Sequence, residues 1–202
     1  MKYWLIIIPV FVYTNLNAQP KKIPPKLGVK MGANLSTIFG GMLVNQRPRA
    51  GIQTGLYMKD QRKKTFRNFA EIEMAFTGSN FRNQTGEYRK MNFLMINASF
   101  CKFKKIGNKN ELLLGLQNAY ILQSELYVNG EVKAKYRDMA FSKFDPQIKV
   151  GFSQNKEIAS LLWELRFSIL NIGKPLNLTE LSPSLNKKGK IKNFSLGASF
   201  LF

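Results

Sequence analysis

The chain contains no histidine and a single cysteine, Cys101, among its 202 residues. These shortages exclude Ser-His-Asp and Cys-His catalysis, histidine-ligated haem, thiolate metal clusters and any disulfide within the chain. Long apolar runs are also missing, so the sequence is not that of a helical membrane protein. Acidic residues are few: 12 stand against 31 lysines and arginines. The resulting net charge of +19 predicts contact with a polyanion, either nucleic acid or an anionic membrane surface.

The remaining composition is that of one folded domain. Apolar residues make up 45% of the chain, which is too high a share for a disordered protein. A chain of 202 residues has room for one core-sized unit and excludes a large two-domain enzyme.

The first residues have the three-part layout of a secretory signal peptide. Lys2 gives a positive start, residues 3–13 are mostly apolar, and small or polar residues precede Ala18. A helix over residues 3–13 would rise about 16 Å, about half of the ~30 Å hydrocarbon core, and Pro9 interrupts it, so a membrane anchor is the weaker interpretation. We therefore expect a cleaved signal peptide at 1–18, an extended periplasmic leader at 19–26 and the folded domain at 27–202.

From residue 27 onward, apolar side chains alternate with small or polar ones, which predicts strands rather than helices. In the first strand Leu27 and Val29 lie on one face, opposite Gly28 and Lys30. Five further segments alternate in the same way, and their apolar rows contain no charged residue. These segments lie near 52–58, 70–76, 144–152, 161–169 and 194–202. Two more, at 90–103 and 111–122, are strand-like but so continuously apolar that their faces stay unassigned.

The intervals between these eight expected strands alternate between long and short. The long ones are 37–49, 78–89, 123–140 and 171–191, and the short ones are 60–66, 104–110 and 154–159. An outer-membrane barrel has short periplasmic turns at one rim and longer external loops at the other, with both termini periplasmic when the strand number is even. Strands of about 10–13 residues also suit a tilted crossing of a bilayer. The sequence therefore predicts an all-β fold, an eight-stranded antiparallel up-and-down transmembrane β-barrel in the outer membrane.

In such a barrel the polar rows face the lumen, because a base on the lipid face costs about 2–4 kcal/mol at mid-membrane. Eight strands enclose a space that side chains fill, so we expect no open channel. Glu71 and Glu73 have the spacing of an acid/base pair or a cation site, but neutralisation across the lumen is the stronger interpretation. The expected structural network consists of Lys30, Glu71, Glu73, Asp145, Lys149, Glu164 and Arg166.

The remaining bases are expected at the rims of the barrel, beside lipid phosphates. Lys59 and Arg67 belong to one of these basic clusters. An exported chain meets lipids rather than nucleic acid, so the expected partners are outer-membrane lipids, lipopolysaccharide and other envelope or secretion proteins. The sequence has no nucleotide-binding glycine motif and no metal-ligand spacing, so no cofactor is expected. The bases expected to contact lipid phosphate are Arg62, Lys63, Lys64, Lys104, Lys105, Lys187, Lys188 and Lys190.

Three segments, at 27–36, 143–151 and 165–172, resemble the small outer-membrane β-barrel proteins of the PorT-like type. The final segment, 194–202, ends on an aromatic residue and is similar to the C-terminal strand signal by which outer-membrane barrels are recognised for insertion. The resemblance implies an outer-membrane location and an association with protein secretion across that membrane. Pro146 departs from the pattern, and we expect a bulge or a local break in strand pairing there.

Three functions are compatible with these features. The first is a non-enzymatic barrel with a structural, docking or secretion-associated assembly role, in which Cys101 is a passive thiol. The second, an outer-membrane lipid-modifying enzyme, is disfavoured because histidine is absent. The third, a soluble periplasmic lipocalin-like binding barrel, requires the phenylalanine and leucine rows to line an internal cavity.

Overall fold

The computed structural model describes residues 24–40, 44–61, 65–82, 88–128, 131–136, 143–156, 158–170 and 191–202. This part of the chain consists of strands joined by turns, and it contains no helix long and apolar enough to cross a membrane. The signal peptide expected at 1–18 and most of the leader lie outside the described residues. The strands are β1 Lys26–Gly40, β2 Val44–Lys59, β3 Phe66–Arg82, β4 Tyr88–Lys105, β5 Asn110–Val128, β6 Glu131–Tyr136, β7 Phe144–Asn155, β8 Ser160–Ser168 and β9 Ile191–Leu201.

Eight of these strands close into an antiparallel barrel, which confirms the expected architecture. The ring runs β1, β2, β3, β4, β5, β7, β8 and β9, and β9 returns to pair with β1. The short strand β6 lies outside the ring and pairs only with the end of β5, from Ser124 to Val128. From Asn110 to Tyr120, β5 pairs with β7 instead. A strand at 131–136 was not predicted from the sequence, where these residues were expected to form a loop.

The barrel has two different rims. At the first, which we call the turn rim, the strands are joined through residues 60–65, 106–109 and 156–159. The start of β1 and the end of β9 lie at the same rim, where the Phe202 amide donates to the Val29 carbonyl at 2.9 Å. The other end, which we call the loop rim, carries the connections at 41–43, 83–87, 129–130, 137–143 and 169–190.

The expected alternation of long and short loops is wrong for most of the barrel. Strands β1 to β5 contain 15 to 19 residues and absorb most of the intervals expected as external loops. Backbone pairing continues past the apolar part of the outward row, and the period-two pattern breaks down there. Polar side chains take over the outward row, while the inward row includes apolar residues such as Ile38 and Phe81. Near the loop rim of β3, for example, Ser79 points inward while Asn80 and Arg82 lie on the other row. Strands β7 to β9 are shorter, with 12, 9 and 11 residues.

The barrel is apolar on its outside, as the alternating rows predicted. Leu27 is 74% exposed and Leu56 is 66% exposed, and Met74, Trp163 and Phe200 also face outward. The polar rows face the lumen and are buried. This arrangement contradicts the lipocalin-like alternative, because the phenylalanine and leucine rows do not line the interior.

The structure also assigns the two segments whose faces could not be predicted. In β4, Ile96 and Phe100 point outward while Asn97 and Cys101 point into the lumen. In β5, Leu112, Leu114 and Leu116 point outward, while Leu113 and Gln117 point inward. Both rows are apolar in these strands because part of the lumen is itself filled with apolar side chains.

Pro146 does not produce the expected bulge, since β5 and β7 pair through Asn118 and Pro146 without a shift in register. The Pro146 carbonyl accepts a hydrogen bond from the Ile169 amide at 2.8 Å, so this edge of the residue faces the end of β8. In an antiparallel pair the N–H and C=O of one residue point to the same neighbour. The missing N–H therefore falls next to Ile169, one residue beyond the last residue of β8, and leaves the β5–β7 ladder intact.

Candidate functional site

Six charged side chains meet in the middle of the lumen and form a layer that we call the charged layer. They are Lys30, Glu71, Glu73, Lys149, Glu164 and Arg166. Strands β1, β3, β7 and β8 supply them from their inward rows. Each of these side chains is at most 2% exposed. Bases and acids are equal in number, so the layer is neutral.

Glu164 is the centre of the charged layer because it contacts all three bases. Its carboxylate lies 2.5 Å from the Lys30 Nζ, 2.5 Å from the Lys149 Nζ and 2.5 Å from the Arg166 Nη2. Glu71 pairs with Lys30 at 3.1 Å and also with Lys149. Glu73 pairs with Lys30 at 2.7 Å and with Arg166 Nη1 at 2.5 Å.

Neutral side chains from other strands complete the hydrogen bonding of the charged layer. The Asn97 Nδ2 donates to Glu73 at 2.8 Å, and the Ser99 hydroxyl donates to Glu71 at 2.8 Å. Gln53 bridges two members, because its Nε2 donates to Glu164 at 2.8 Å while its Oε1 accepts from Arg166 at 2.9 Å. Burying an ion costs several kcal/mol, which is offset only when the ion is paired and its remaining hydrogen-bonding capacity is met. The layer meets most of this condition by drawing partners from β2 and β4 as well, although the Arg166 Nε is buried without an acceptor among the described residues.

The charged layer has no carboxylate in a position typical of general acid/base catalysis, since each one is engaged by at least two cations. Among the described residues no group of three or more histidine, cysteine, aspartate or glutamate side chains is arranged to hold a metal ion. The charged layer links β1 and β3 with β7 and β8 across the lumen.

Asp145 lies apart from the charged layer, although it was expected to belong to it. It is fully buried near the loop-rim end of β7, and it accepts a hydrogen bond from Gln147 Nε2 at 2.5 Å. Gln147 in turn accepts from Gln117 Nε2 at 2.9 Å. The described residues place only neutral hydrogen-bonding groups around Asp145, because Lys149 lies further along β7 and turns to Glu71 and Glu164.

An apolar cluster fills the lumen between the charged layer and the turn rim, and we call it the apolar plug. Phe69 stands edge-on to Phe103 at a centroid distance of 5.0 Å and stacks on Tyr57 at 5.7 Å. The Tyr57 hydroxyl donates to the Phe202 carbonyl at 2.8 Å. A Cβ on Gly28 would lie 2.5 Å from the Tyr57 ring, so the glycine leaves the space that the ring occupies. The members are Tyr57, Phe69, Cys101, Phe103, Leu113, Leu162 and Leu201.

Two bases expected on the outside of the turn rim turn inward beneath the apolar plug. Lys59 pairs with the buried Glu111, and its Nζ lies 4.4 Å from the centre of the Phe103 ring. Arg67 also contacts Glu111, at 3.2 Å. Both bases lie at the rim as expected but face Glu111 rather than lipid, because this buried carboxylate provides a counter-charge inside the barrel that the sequence pattern did not indicate.

Of the bases expected to contact lipid phosphate, Lys104 and Lys105 lie in the described residues, and both are exposed at the turn-rim end of β4. The Lys104 Nζ lies 6.0 Å from the centre of the Phe66 ring. The other six, Arg62, Lys63, Lys64, Lys187, Lys188 and Lys190, lie outside the described residues.

No protein-family model matches the sequence, and no curated protein matches it. Solved structures of small barrels are similar to it. The crystal structure of Ail, the attachment invasion locus protein of Yersinia pestis, is 13% identical, with 89% of this chain and 100% of that chain covered and a TM-score of 0.49. The crystal structure of Ail in complex with the heparin analogue sucrose octasulfate is 11% identical, covers 89% of this chain and 100% of its own, and has a TM-score of 0.45. The crystal structure of Neisserial surface protein A is 14% identical, with 87% of this chain and 95% of that chain covered and a TM-score of 0.48.

Proposed function

We propose that this chain is an outer-membrane β-barrel with a sealed lumen, which serves as a structural, docking or secretion-associated assembly component and not as a pore or an enzyme. The observation that carries the proposal is the inversion of polarity: a closed ring of strands has apolar rows outside and buried charges inside. Closure leaves no unpaired strand edge within the ring. A sheet in hydrocarbon requires this, because lipid cannot hydrogen-bond free backbone amides and carbonyls. In water the outer rows would leave a large apolar surface exposed.

The orientation that we propose places the turn rim in the periplasm and the loop rim outside the cell. The longest connection between strands, residues 169–190, belongs to the loop rim, and β1 begins and β9 ends at the turn rim, as in barrels with an even strand number. The signal peptide expected at 1–18 and the final strand ending on Phe202 agree with this route. The exposed Lys104 and Lys105 then lie at the level of the inner-leaflet phosphates.

The lumen is closed at two levels, by the charged layer and by the apolar plug. A barrel of eight strands holds side chains rather than a channel. The working surfaces of the protein are therefore its rims and its outer wall, which favours contacts with lipids, lipopolysaccharide and other envelope proteins. The resemblance of three segments to PorT-like barrels supports a role beside a secretion apparatus, and affinity purification from a detergent extract tests for such a partner.

The location is tested by expressing the full chain in a Gram-negative host, separating the membranes and comparing heated with unheated samples by electrophoresis. We expect the processed chain in the outer-membrane fraction, with a different migration until it is boiled. Recovery of the chain in the aqueous periplasmic fraction without detergent would contradict the proposal.

A matched pair of variants strengthens this test. Leu56→Lys places a charge on the outward row of β2, between Val29 and Ile72 on the neighbouring strands. It should lower the inserted fraction, because a lysine near mid-membrane costs about 2–4 kcal/mol. Lys105→Gln changes charge at the exposed turn rim and should leave insertion unchanged. Equal insertion of both variants would mean that Leu56 does not face lipid.

A further inference from the structure

The outward face of β2 to β5 changes from apolar to polar within one step of the strand ladder. Phe76 and Leu94 pair on this face and are the last apolar residues of their rows. The next outward pair is Gly78 with Asn92, and the one above it is Asn80 with Lys90. Lys90 also pairs with Tyr127 on β5, and Asn80 pairs with Arg47 on β2. We call this surface the polar shoulder: Arg47, Arg49, Asn80, Lys90, Asn92 and Tyr127.

Two cavities open on the polar shoulder. The lower has a volume of about 230 Å³, and its walls include Arg49 and Asn92 together with the apolar Phe76 and Leu94. It therefore adjoins the outward apolar row directly. The upper has a volume of about 310 Å³, with Arg47, Asn80, Arg82 and Tyr88 among its lining residues. A ligand bound here would touch the barrel wall from the side, at the level where the apolar surface ends.

The cavities contain hydrogen-bonding groups of both kinds that lack a partner among the described residues. The Arg49 side chain lies across β3, with its Cδ 3.2 Å from the place where a Cβ of Gly78 would stand. Its Nη1 is buried without an acceptor, and the Oδ1 atoms of Asn80 and Asn92 are buried without a donor. Leaving such groups unpaired is costly, so an anion and hydroxyl donors placed in these cavities would be stabilised by them. An anion satisfies the guanidinium, whereas the amide oxygens need hydroxyl donors.

The charge of the polar shoulder has the sign that an anion requires. Arg47, Arg49, Arg82 and Lys90 lie around the two cavities, and among the residues whose side chains the structure describes Glu125 is the one carboxylate in their walls. That carboxylate already accepts from the Gln123 Nε2 at 2.9 Å and from the Tyr127 hydroxyl at 2.8 Å. The Lys90 Nζ lies 5.0 Å from the centre of the Tyr127 ring, which holds this base on the outer face.

We propose that the polar shoulder binds the phosphorylated sugar headgroup of a glycolipid in the leaflet around the barrel. The phosphate meets Arg49 and its neighbouring bases, the sugar hydroxyls donate to Asn80 and Asn92, and the acyl chains run down over Phe76 and Leu94. Such a molecule presents an anion, several hydroxyl groups and an apolar tail in the same order as the bases, the amide oxygens and the apolar residues along the wall. The inference rests on the proposed function, since it needs the loop rim to lie at the outer leaflet.

The test uses the full processed chain refolded in detergent, with the heat-dependent electrophoretic shift as proof of a closed barrel. Binding is measured with three probes: phosphorylated lipopolysaccharide, the same lipopolysaccharide after enzymatic removal of its phosphates, and phosphatidylglycerol. We expect phosphorylated lipopolysaccharide to bind at least about tenfold more tightly than either of the others, because hydrogen bonds to charged groups are among the strong ones. Equal binding of the phosphorylated and phosphate-free forms would overturn the proposal.

Variants separate this site from general attraction to a basic protein. Arg49→Gln combined with Lys90→Gln should weaken binding of phosphorylated lipopolysaccharide by about tenfold or more. The matched control, Lys109→Gln combined with Lys156→Gln, removes the same charge from two exposed positions at the turn rim and should change binding by less than about twofold. Equal losses in the two double variants would refute the site.

Two further outcomes distinguish a failure of the proposed function from a failure of the glycolipid site. If the refolded chain shows no heat-dependent shift and stays out of the outer membrane, the proposed function is wrong. If the barrel forms and inserts but the phosphorylated and phosphate-free lipopolysaccharides bind equally, or the two double variants lose the same affinity, only the glycolipid site is wrong. A deacylated, phosphorylated core oligosaccharide should bind much more weakly than the intact glycolipid, and equal affinity would contradict a membrane lipid as the occupant.

Discussion

The charged layer and the apolar plug fill the same lumen by different physical means. The charged layer consists of groups that are each costly to bury and that become stable only together, because every carboxylate contacts two or more bases. The plug consists of side chains such as Phe69 and Leu162, which gain from burial individually. Removing one member of the layer therefore leaves uncompensated charges, whereas removing one member of the plug leaves a cavity. The charged layer joins opposite walls through ion pairs and hydrogen bonds of fixed geometry. The apolar plug fills space and should accept other apolar side chains of similar volume.

The largest loss of stability is expected from Glu164→Gln. This change removes the carboxylate that contacts Lys30, Lys149 and Arg166, and leaves three buried bases with two acids. We expect the free energy of unfolding to fall by about 3–5 kcal/mol, the cost of breaking a buried ion network. Urea unfolding in lipid, followed by the fluorescence of the outward Trp163, measures it. Glu125→Gln is the same chemical change at the loop rim and should lower the free energy of unfolding by less than about 1 kcal/mol. Equal losses in the two variants would mean that the charged layer stabilises the barrel no more than a partly exposed carboxylate does.

In the apolar plug, Leu162→Ala should lower the free energy of unfolding by about 3 kcal/mol, because it leaves a cavity among fully buried neighbours. Leu162→Met keeps the volume and should cost less than about 1.5 kcal/mol. The same urea titration compares the two variants. A severe loss with methionine would mean that the plug needs specific contacts, as the charged layer does.

Double-mutant cycles compare the two regions pair by pair. For Glu71 and Lys149 we expect a coupling energy of about 2 kcal/mol, because either single change leaves an unpaired buried charge and the double change does not. For Phe69 and Phe103 we expect about 1 kcal/mol, typical of an edge-on aromatic pair. Couplings of the opposite order would show that the plug, and not the charged layer, is the cooperative region.

The smallest effect is expected at Cys101, a buried member of the plug with one heavy atom beyond alanine. Cys101→Ala should lower the free energy of unfolding by about 1 kcal/mol. Its thiol should resist maleimide in the closed barrel and react fully after boiling, because it is 1% exposed. Rapid labelling of the unheated barrel would show that the plug opens to water.

The sequence allowed the ring and most of the charged layer to be predicted, because charge is confined to one of two alternating rows. Lys30 and Glu73, for instance, stand out against wholly uncharged neighbours on the other row. The faces of β4 and β5 could not be predicted, since the plug makes both rows apolar around Cys101. The inward turn of Lys59 depends on Glu111, which is distant in sequence. The long end of β3 escaped prediction because its outward row turns polar at Asn80 and Arg82 while Phe81 faces the lumen, so the apolar residues change sides.

The pairing of β1 with β9 makes the first and last strands of the ring neighbours. Until β9 has been added, any shorter arrangement of the same strands has two bare edges whose amides and carbonyls find no partner among acyl chains. A chain that stops before β9 is therefore no smaller version of the same cylinder. In the outer membrane that we propose, insertion is therefore expected to accompany the joining of β1 and β9, because that pairing satisfies the last two edges of the sheet.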